Sequence, residues 1–234
     1  MPPPSSILIP LYNSEKKVRT TVQTLIQTLD RLKADYEILL RDDGSLDGTA
    51  GLLGEIAAQS SSVKISRNGR NRGLGFTLRQ MIRDARYEYL IYSDCDLPFT
   101  ADVIPQLVQE LYDHDVVVCS RYLGARNPTR LARKVMSRFY YLFCKILFNV
   151  PVRDIGSGTV ALRKSAVEKL DLRSDGFDIH VELFVKAKRR GLRIKEIAVP
   201  SMDKGEGSFR IIRHGTEVVL KTFQWWVLLL QKNA

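Results

Sequence analysis

Two aspartates, Asp94 and Asp96, close the apolar run YEYLIYSDCDLPF at residues 87–99. In an extended chain, residues two apart point to the same side. The two carboxylates therefore share a face and repel each other unless something positive lies between them. A hard divalent cation such as Mg2+ or Mn2+ takes oxygen ligands of this kind. Mg2+ in particular is often held by one or two carboxylates together with substrate phosphates. A metal placed there would bridge a diphosphate and offset the charge on a departing phosphate. The alternative is two surface acids in a turn, and the pair alone does not decide between them.

Other polar groups share this pattern of lying just past an apolar run. RDDGSLDGT (residues 41–49) sets Asp42 and Asp43 before a turn, where a carboxylate can accept from a base N–H or a ribose hydroxyl. Asp47 fits an ordinary helix N-cap. Tyr12-Asn13, Asn71 to Gly75 and Ser120-Arg121 are further clusters. In GFDIHVELF, Asp178 and Glu182 are four apart and share a face if the segment is helical. His180 between them could reach the metal or another bound ligand, or is an ordinary histidine beside a helix-terminal acid.

The elements that must position these groups follow from periodicity. SSILIPLYN reads as a buried strand. SEKKVRTTVQTLIQTLDRL then spaces Val18, Val22, Leu25, Leu29 and Leu32 as one helical face, with Asn13 or Ser14 as N-cap. YEILLRDD, VKISRN, YEYLIYSD and DVVVCSRYL read as strands, separated by the helices DGTAGLLGEIAAQ, FTLRQMIRDAR and ADVIPQLVQELYDH, the last with Thr100 as a cap. DGFDIHVELFVKAKRRGLRIKEIAV reads as a helix and a strand, and GTEVVLKTFQWWVLLLQK as a terminal apolar helix. Alternating strands and helices predict an α/β fold with a doubly wound, mostly parallel sheet flanked by helices. Ligands of such sheets sit beyond the carboxyl ends of the strands, where five of the polar clusters fall: Tyr12-Asn13, Asp42-Asp43, Asn71 to Gly75, Asp94 to Asp96 and Ser120-Arg121. The domain expected is residues 1–210, followed by a C-terminal amphipathic helix extension over 211–234.

The 234 residues carry 44% hydrophobic and 26% charged side chains, as ordinary globular domains do, and a formal net charge of +10. That excess favours a polyanionic partner: phosphates, nucleic acid or an anionic membrane. Cys95, Cys119 and Cys144 are scattered, without a zinc spacing, and read as reduced buried thiols. The N-terminus has no signal-peptide pattern, and no uncharged run reaches the ~18–20 residues that span a bilayer. The expected location is cytoplasmic.

ILIPLYN, RDDGSLDGT, NRGLG and SDCDLP, in this order, resemble family 2 glycosyltransferases of the GT-A fold over roughly residues 5–210. SRYLGARNPTRLARKVMS, VRDIGSGTVALRK, GFDIHVELFVKAKRRGLRIKEIAVP and KGEGSF resemble, within that family, the polyprenyl- and dolichyl-phosphate mannose or glucose synthases. The resemblance implies a nucleotide-diphosphate sugar donor, GDP-mannose or a UDP-sugar, and an inverting transfer of one sugar to a polyprenyl monophosphate. It implies that Pro10, Tyr12, Asn13, Asp42 and Asp43, with Asn71 and Gly73 of NRGLG, hold the nucleotide. Asp94 and Asp96 would bind the metal and its diphosphate. Arg121, Arg133, Ser137 and Lys204 would surround the acceptor phosphate, and Glu182 would lie near the active site as a catalytic acid. Two positions depart from the pattern. Pro98 stands where relatives carry Gln, removing a possible metal ligand. Lys204 stands where they carry Arg, and lysine lacks the bidentate fork.

A phosphate acceptor also has a physical argument. A hydroxyl acceptor normally needs a general base, and FQWW at residues 223–226 lacks the arginine of the processive relatives' Q-x-x-R-W. A phosphate oxygen is already anionic and needs cations to hold it, preferably arginine. Residues 130–148 interleave cations with Phe139, Tyr140, Tyr141, Leu142 and Phe143, and residues 218–230 include Trp225 and Trp226. Such helices can lie in an anionic membrane interface or pack on the sheet or a second subunit. Together they predict peripheral attachment at the cytoplasmic membrane face. Two rivals remain: the same fold acting on a soluble saccharide, and a basic protein binding nucleic acid. The latter lacks any familiar motif, so no nucleic-acid partner is expected.

Overall fold

The structure, a computed structural model, describes residues 3–58, 60–124, 131–202 and 218–226. β1 (Ser5–Leu11) and β2 (Tyr36–Asp42) are buried over almost their whole length, as strands covered on both faces must be. Between them α1 (Glu15–Arg31) turns Val18, Val22, Leu25 and Leu29 inward at their helical spacing, while Leu32 falls just past its end. Ser14 stands at the N-cap position, but its side chain makes no capping bond. Asp47 does that work instead, accepting from Glu15 N at 3.2 Å and Thr49 N at 3.0 Å. One carboxylate thus ties the start of α1 to the start of α2 (Thr49–Ala58).

The chain continues through β3 (Val63–Arg67), α3 (Leu74–Asp84), β4 (Tyr89–Ser93), α4 (Ile104–Glu110), β5 (Val116–Ser120) and α5 (Leu131–Phe148). Then come β6 (Thr159–Arg163), α6 (Lys164–Val167), α7 (Ile179–Arg189) and β7 (Ile194–Ala198). A last described helix, α8, includes residues 218–226. It packs on α5, with Tyr140 Oη 3.0 Å from Thr222 Oγ1 and the rings of Phe148 and Trp225 5.0 Å apart.

The seven strands among the described residues form one sheet in the order β3-β2-β1-β4-β6-β5-β7. β1 pairs in parallel with β2 and β4, β2 with β3, and β5 with β7. β6 runs against β4 and β5. The expected mostly parallel α/β sheet is therefore present, with one strand, TVALR, that the periodicity reading did not pick out. One apolar cluster lies under α1, α2 and α4 and another under α3, α5 and α7, one for each face.

Topology fixes where a site can form. The chain leaves β1 toward β2 on one side and returns through β4 on the other, opening a crevice at their carboxyl ends. Because β6 is reversed, its leading loop, residues 154–158, arrives at this same edge.

Candidate active site

β4 ends at Ser93, and a tight turn follows, closed by Leu97 N donating to Asp94 O at 3.0 Å. Leu97 takes the left-handed conformation (φ 45°), at a cost of about 1–2 kcal/mol for a residue with a Cβ. The turn sorts three side chains. Cys95 goes inward: Thr21 Oγ1 donates to its carbonyl at 2.5 Å, and burial pushes its thiol up to about 11, which leaves it unreactive. Asp94, partly buried, and Asp96, exposed, both line a polar cleft of about 1030 Å³.

Asp94 is held tightly. Its Oδ1 accepts from Tyr92 Oη, and its N donates to Gly158 O at 2.8 Å. A β-carbon at Gly158, itself at φ +73°, would fall 2.6 Å from Asp94 Oδ2, so the carboxylate fills the space glycine leaves. Burial pushes the Asp94 carboxyl up to about 6; the Tyr92 bond opposes this, Asp96 reinforces it, and Arg121 and Arg133 oppose it. Among the described residues no cluster of three or more His, Cys, Asp or Glu is gathered to hold a metal. Two hard carboxylates, one confined beside the other's charge, fit a dication that takes its remaining ligands from a diphosphate and water. Pro98, at the wall of the cleft, offers no side-chain ligand; its carbonyl accepts from Met202 N at 2.8 Å.

The nucleotide residues divide. Pro10, Tyr12, Asn13, Asp43, Asn71 and Gly73 all line the polar cleft. Asn13 adopts φ 50°, which asparagine tolerates, and its Oδ1 accepts from Leu46 N at 2.9 Å. Asp43 accepts from Asn68 Nδ2 at 2.7 Å, Arg72 N at 2.9 Å and Gly73 N at 2.8 Å, and so shapes the NRGLG loop. Asp42 does not line the cleft. It is fully buried, accepts from Ser45 N at 2.9 Å and pairs with Arg67 at 3.0 Å, which makes it a turn-builder. The glycines of NRGLG serve packing: a β-carbon on Gly73 would meet Asp175 O at 2.3 Å, and one on Gly75 would meet Ser174 O at 2.1 Å. Asp175 O accepts from Gly75 N at 2.7 Å, satisfying one of the N–H groups at the start of α3.

A second, apolar cleft of about 890 Å³ opens beside the first, walled by Met136, Phe139, Tyr140 and Phe143 of α5 and by Val219 and Leu220 of α8. Asp94, Arg121 and Arg133 line both clefts, and Ser137 lines the apolar one. Arg121 is 3% exposed and clamped by Asp154: Nε donates to Oδ2 at 2.9 Å and Nη2 to Oδ1 at 2.8 Å. Its Nη2 also donates to Gly156 O. Lys204, expected beside the acceptor phosphate, lies outside the described residues.

The α7 acids are not equivalent. Glu182, expected as a catalytic acid, lines neither cleft. It is buried, accepts from Arg173 N at 2.9 Å and Ser174 N at 2.7 Å, and pairs with Lys186 at 2.6 Å, so it holds the loop ahead of α7. His180 lines the apolar cleft, its ring 5.5 Å from that of Tyr92, and burial lowers it to about 4, leaving it neutral. Asp178 lines the polar cleft.

Tyr92 and Asp154 are the members that sequence reasoning missed. Tyr92 lies in the quoted strand two residues before Asp94, so period-2 alternation was a usable signal. Asp154 stands in VRDIGSG, and nothing in the spacing ties it to an arginine 33 positions away.

The profile of Glycosyl transferase family 2 matches residues 6–171. Glycosyltransferase AglD of Haloferax volcanii is 28% identical over 239 residues, covering 97% of this chain and 38% of that protein. Dolichol-phosphate mannosyltransferase of Pyrococcus furiosus is 29% identical over 225 residues, covering 89% of this chain and 62% of that protein. The chain thus spans less than two thirds of the length of either relative. Among solved structures, glucosyl-3-phosphoglycerate synthase of Mycobacterium tuberculosis, in complex with Mn2+, uridine-diphosphate-glucose and phosphoglyceric acid, shares the fold. Its TM-score is 0.67 at 14% identity, over 94% of this chain and 76% of that one.

Proposed function

Because the chain belongs to glycosyl transferase family 2, we propose that it moves one sugar from a nucleotide-diphosphate sugar to a polyprenyl monophosphate, inverting the anomeric centre. The observation that carries this reading is the meeting of two unlike clefts at Asp94, Arg121 and Arg133. The polar cleft suits a nucleotide and its sugar. The apolar cleft, walled by aromatic side chains, suits a prenyl chain. Two arginines at the junction suit the phosphate that must lie between them.

An oxygen of the acceptor phosphate attacks the anomeric carbon as the bond from that carbon to the donor's diphosphate breaks. The bonding pair leaves with the nucleoside diphosphate. Asp94 and Asp96 would hold Mg2+ or Mn2+, whose charge, when bound, stabilises that leaving group. The attacking oxygen is already anionic, so no base is required of the neutral His180 nearby. Arg133 and Ser137 position the acceptor phosphate, Arg121 is held in place by Asp154, and Asp43 shapes the nucleotide side.

Peripheral attachment completes the reading. No described helix is long and apolar enough to cross a membrane. α5 exposes Leu131, Val135, Phe139, Leu142 and Ile146, spaced by four, four, three and four residues along one face. That face adjoins the apolar cleft through Phe139, which gives a prenyl chain a route from the bilayer. A soluble phosphorylated acceptor is the second reading, favoured by the phosphoglyceric acid held by the Mycobacterium tuberculosis enzyme of the same fold.

The donor half is tested by thermal shift with Mn2+ and GDP-, UDP-, CMP- and dTDP-sugars. One donor is expected to raise the melting temperature by mass action, by about 2.7 kcal/mol of stabilisation at a hundredfold excess over its Kd. Asp94→Asn with Asp96→Asn is expected to abolish the Mn2+-dependent part and sugar transfer while the protein stays folded. Undiminished transfer in that variant would rule out the metal pair.

A further inference from the structure

Asp178 opens α7 at the N-cap position, where an aspartate ordinarily accepts from the helix's first N–H groups. Here its backbone is already helical (φ −63°, ψ −12°) and its side chain makes no capping bond. The residue is 9% exposed, and its Oδ1 has no hydrogen-bond partner among the described residues. Native structures seldom leave a buried polar atom so without a reason. The helix does not supply one.

The surroundings point to a ligand. Asp178 lines the same polar cleft as Asp94, Asp96 and Asn71. A β-carbon on Gly176 would fall 2.8 Å from Asp178 Oδ1 and 3.3 Å from Lys221 Nζ, so the bare glycine leaves both charged ends room at the cleft wall. The neighbouring acids of the cleft are used internally. Asp43 takes three hydrogen bonds, Asp47 binds the starts of two helices, and Asp175 pairs with Arg79 at 2.6 Å. Among the described residues His180 Nε2 is also without a partner, but it lines the apolar cleft.

An ionised carboxylate only accepts hydrogen bonds. It repels a diphosphate and welcomes a hydroxyl. We infer that Asp178 accepts a hydrogen bond from a hydroxyl of the sugar being transferred, and so helps to set which sugar the cleft takes. This rests on the reading of the polar cleft as the donor site.

Asp178→Asn and Asp178→Ala separate the two ideas. Each is titrated calorimetrically, with Mn2+, against GDP and GDP-mannose and against UDP and UDP-glucose. Binding of the nucleoside diphosphate is expected to stay within about twofold of wild type. Binding of the matching nucleotide sugar is expected to weaken about tenfold or more in Asp178→Ala. The melting temperature of ligand-free Asp178→Ala is expected to hold or rise, because an unpartnered acceptor has been removed. Equal weakening of sugar and diphosphate, or of neither, overturns the inference and leaves the donor site standing. Wild-type protein that binds none of the four probes and none of the donors in the thermal-shift screen overturns the donor-site reading and this inference with it.

Discussion

Arg121 and Arg133 line the same junction but are held differently, and the difference is measurable. Arg121 is buried in a bidentate pair with Asp154, and breaking such a pair from one side costs about 3–5 kcal/mol. Arg121→Ala is expected to lose about that much stability in urea denaturation. Arg133, only partly buried, is expected to lose less than this as alanine. Arg133→Ala is also expected to raise the KM for lipid phosphate far more than that for the donor; equal effects would count against its role. His180 gives a pH signature. Burial takes it from 6.5 down to about 4, so the folded state resists protonation. The stability this contributes is complete above pH 6.5 and falls as pH drops toward 4, by about 3 kcal/mol in all. Asp94, raised from 3.8 to about 6, works in the opposite sense over that window. The difference between wild type and His180→Gln therefore has to be followed, by denaturation at about pH 7.5 and 5. An unchanged difference would contradict the assignment. At this scale the sequence showed Asp94 and Asp96 as a pair, but a turn after β4, and not the alternation of an extended chain, brings both to the cleft. It left Asp42 and Asp43 equivalent, since only the fold decides which of two adjacent carboxylates faces the crevice. The Arg121–Asp154 pair was invisible because a loop before a reversed strand creates it.

Element by element, α5 has the most consequential packing. Its inner side buries Cys144 and packs Tyr140, Phe143 and Phe148 on the sheet. Its outer side leaves Leu131 76%, Phe139 68% and Ile146 81% exposed. An exposed apolar stripe of this length on a protein with a net charge of +10 suits an anionic membrane surface. Replacing Phe139 and Ile146 together by Ser is expected to weaken binding to vesicles containing anionic lipid about tenfold or more. The melting temperature should not change, since neither side chain is core. Unaltered vesicle binding would remove α5 from the membrane face. Periodicity made α1 readable, with its polar and apolar sides distinct. α5 carries Lys134, Arg138 and Lys145 on one strip, four and seven residues apart, and is apolar on more than one side of it, so its pattern did not say which apolar side would be covered. β6 escaped notice because five residues, TVALR, are too few to show alternation.

For the whole molecule, the strand–helix alternation was enough to specify a doubly wound sheet, and the edge where its ligands collect follows from that topology. What alternation cannot specify is one strand's direction. Reversing β6 brings residues 154–158 to the carboxyl edge, where Asp154 fixes Arg121 and Gly158 makes room for Asp94. The second cleft depends in addition on α8 folding back onto α5, a contact between residues 82 positions apart. Long-range closure of this kind leaves no mark on local pattern. The joined clefts carry the functional reading, and acceptor choice tests them most directly. Purified protein is given Mn2+, a donor labelled in its sugar, and, in parallel, polyprenyl phosphate in vesicles or phosphoglyceric acid in solution. Label is expected in the organic-extractable lipid phosphate, and in no soluble product. Label appearing only in the soluble acceptor, or none in the lipid from a donor that binds, would contradict a lipid-phosphate acceptor.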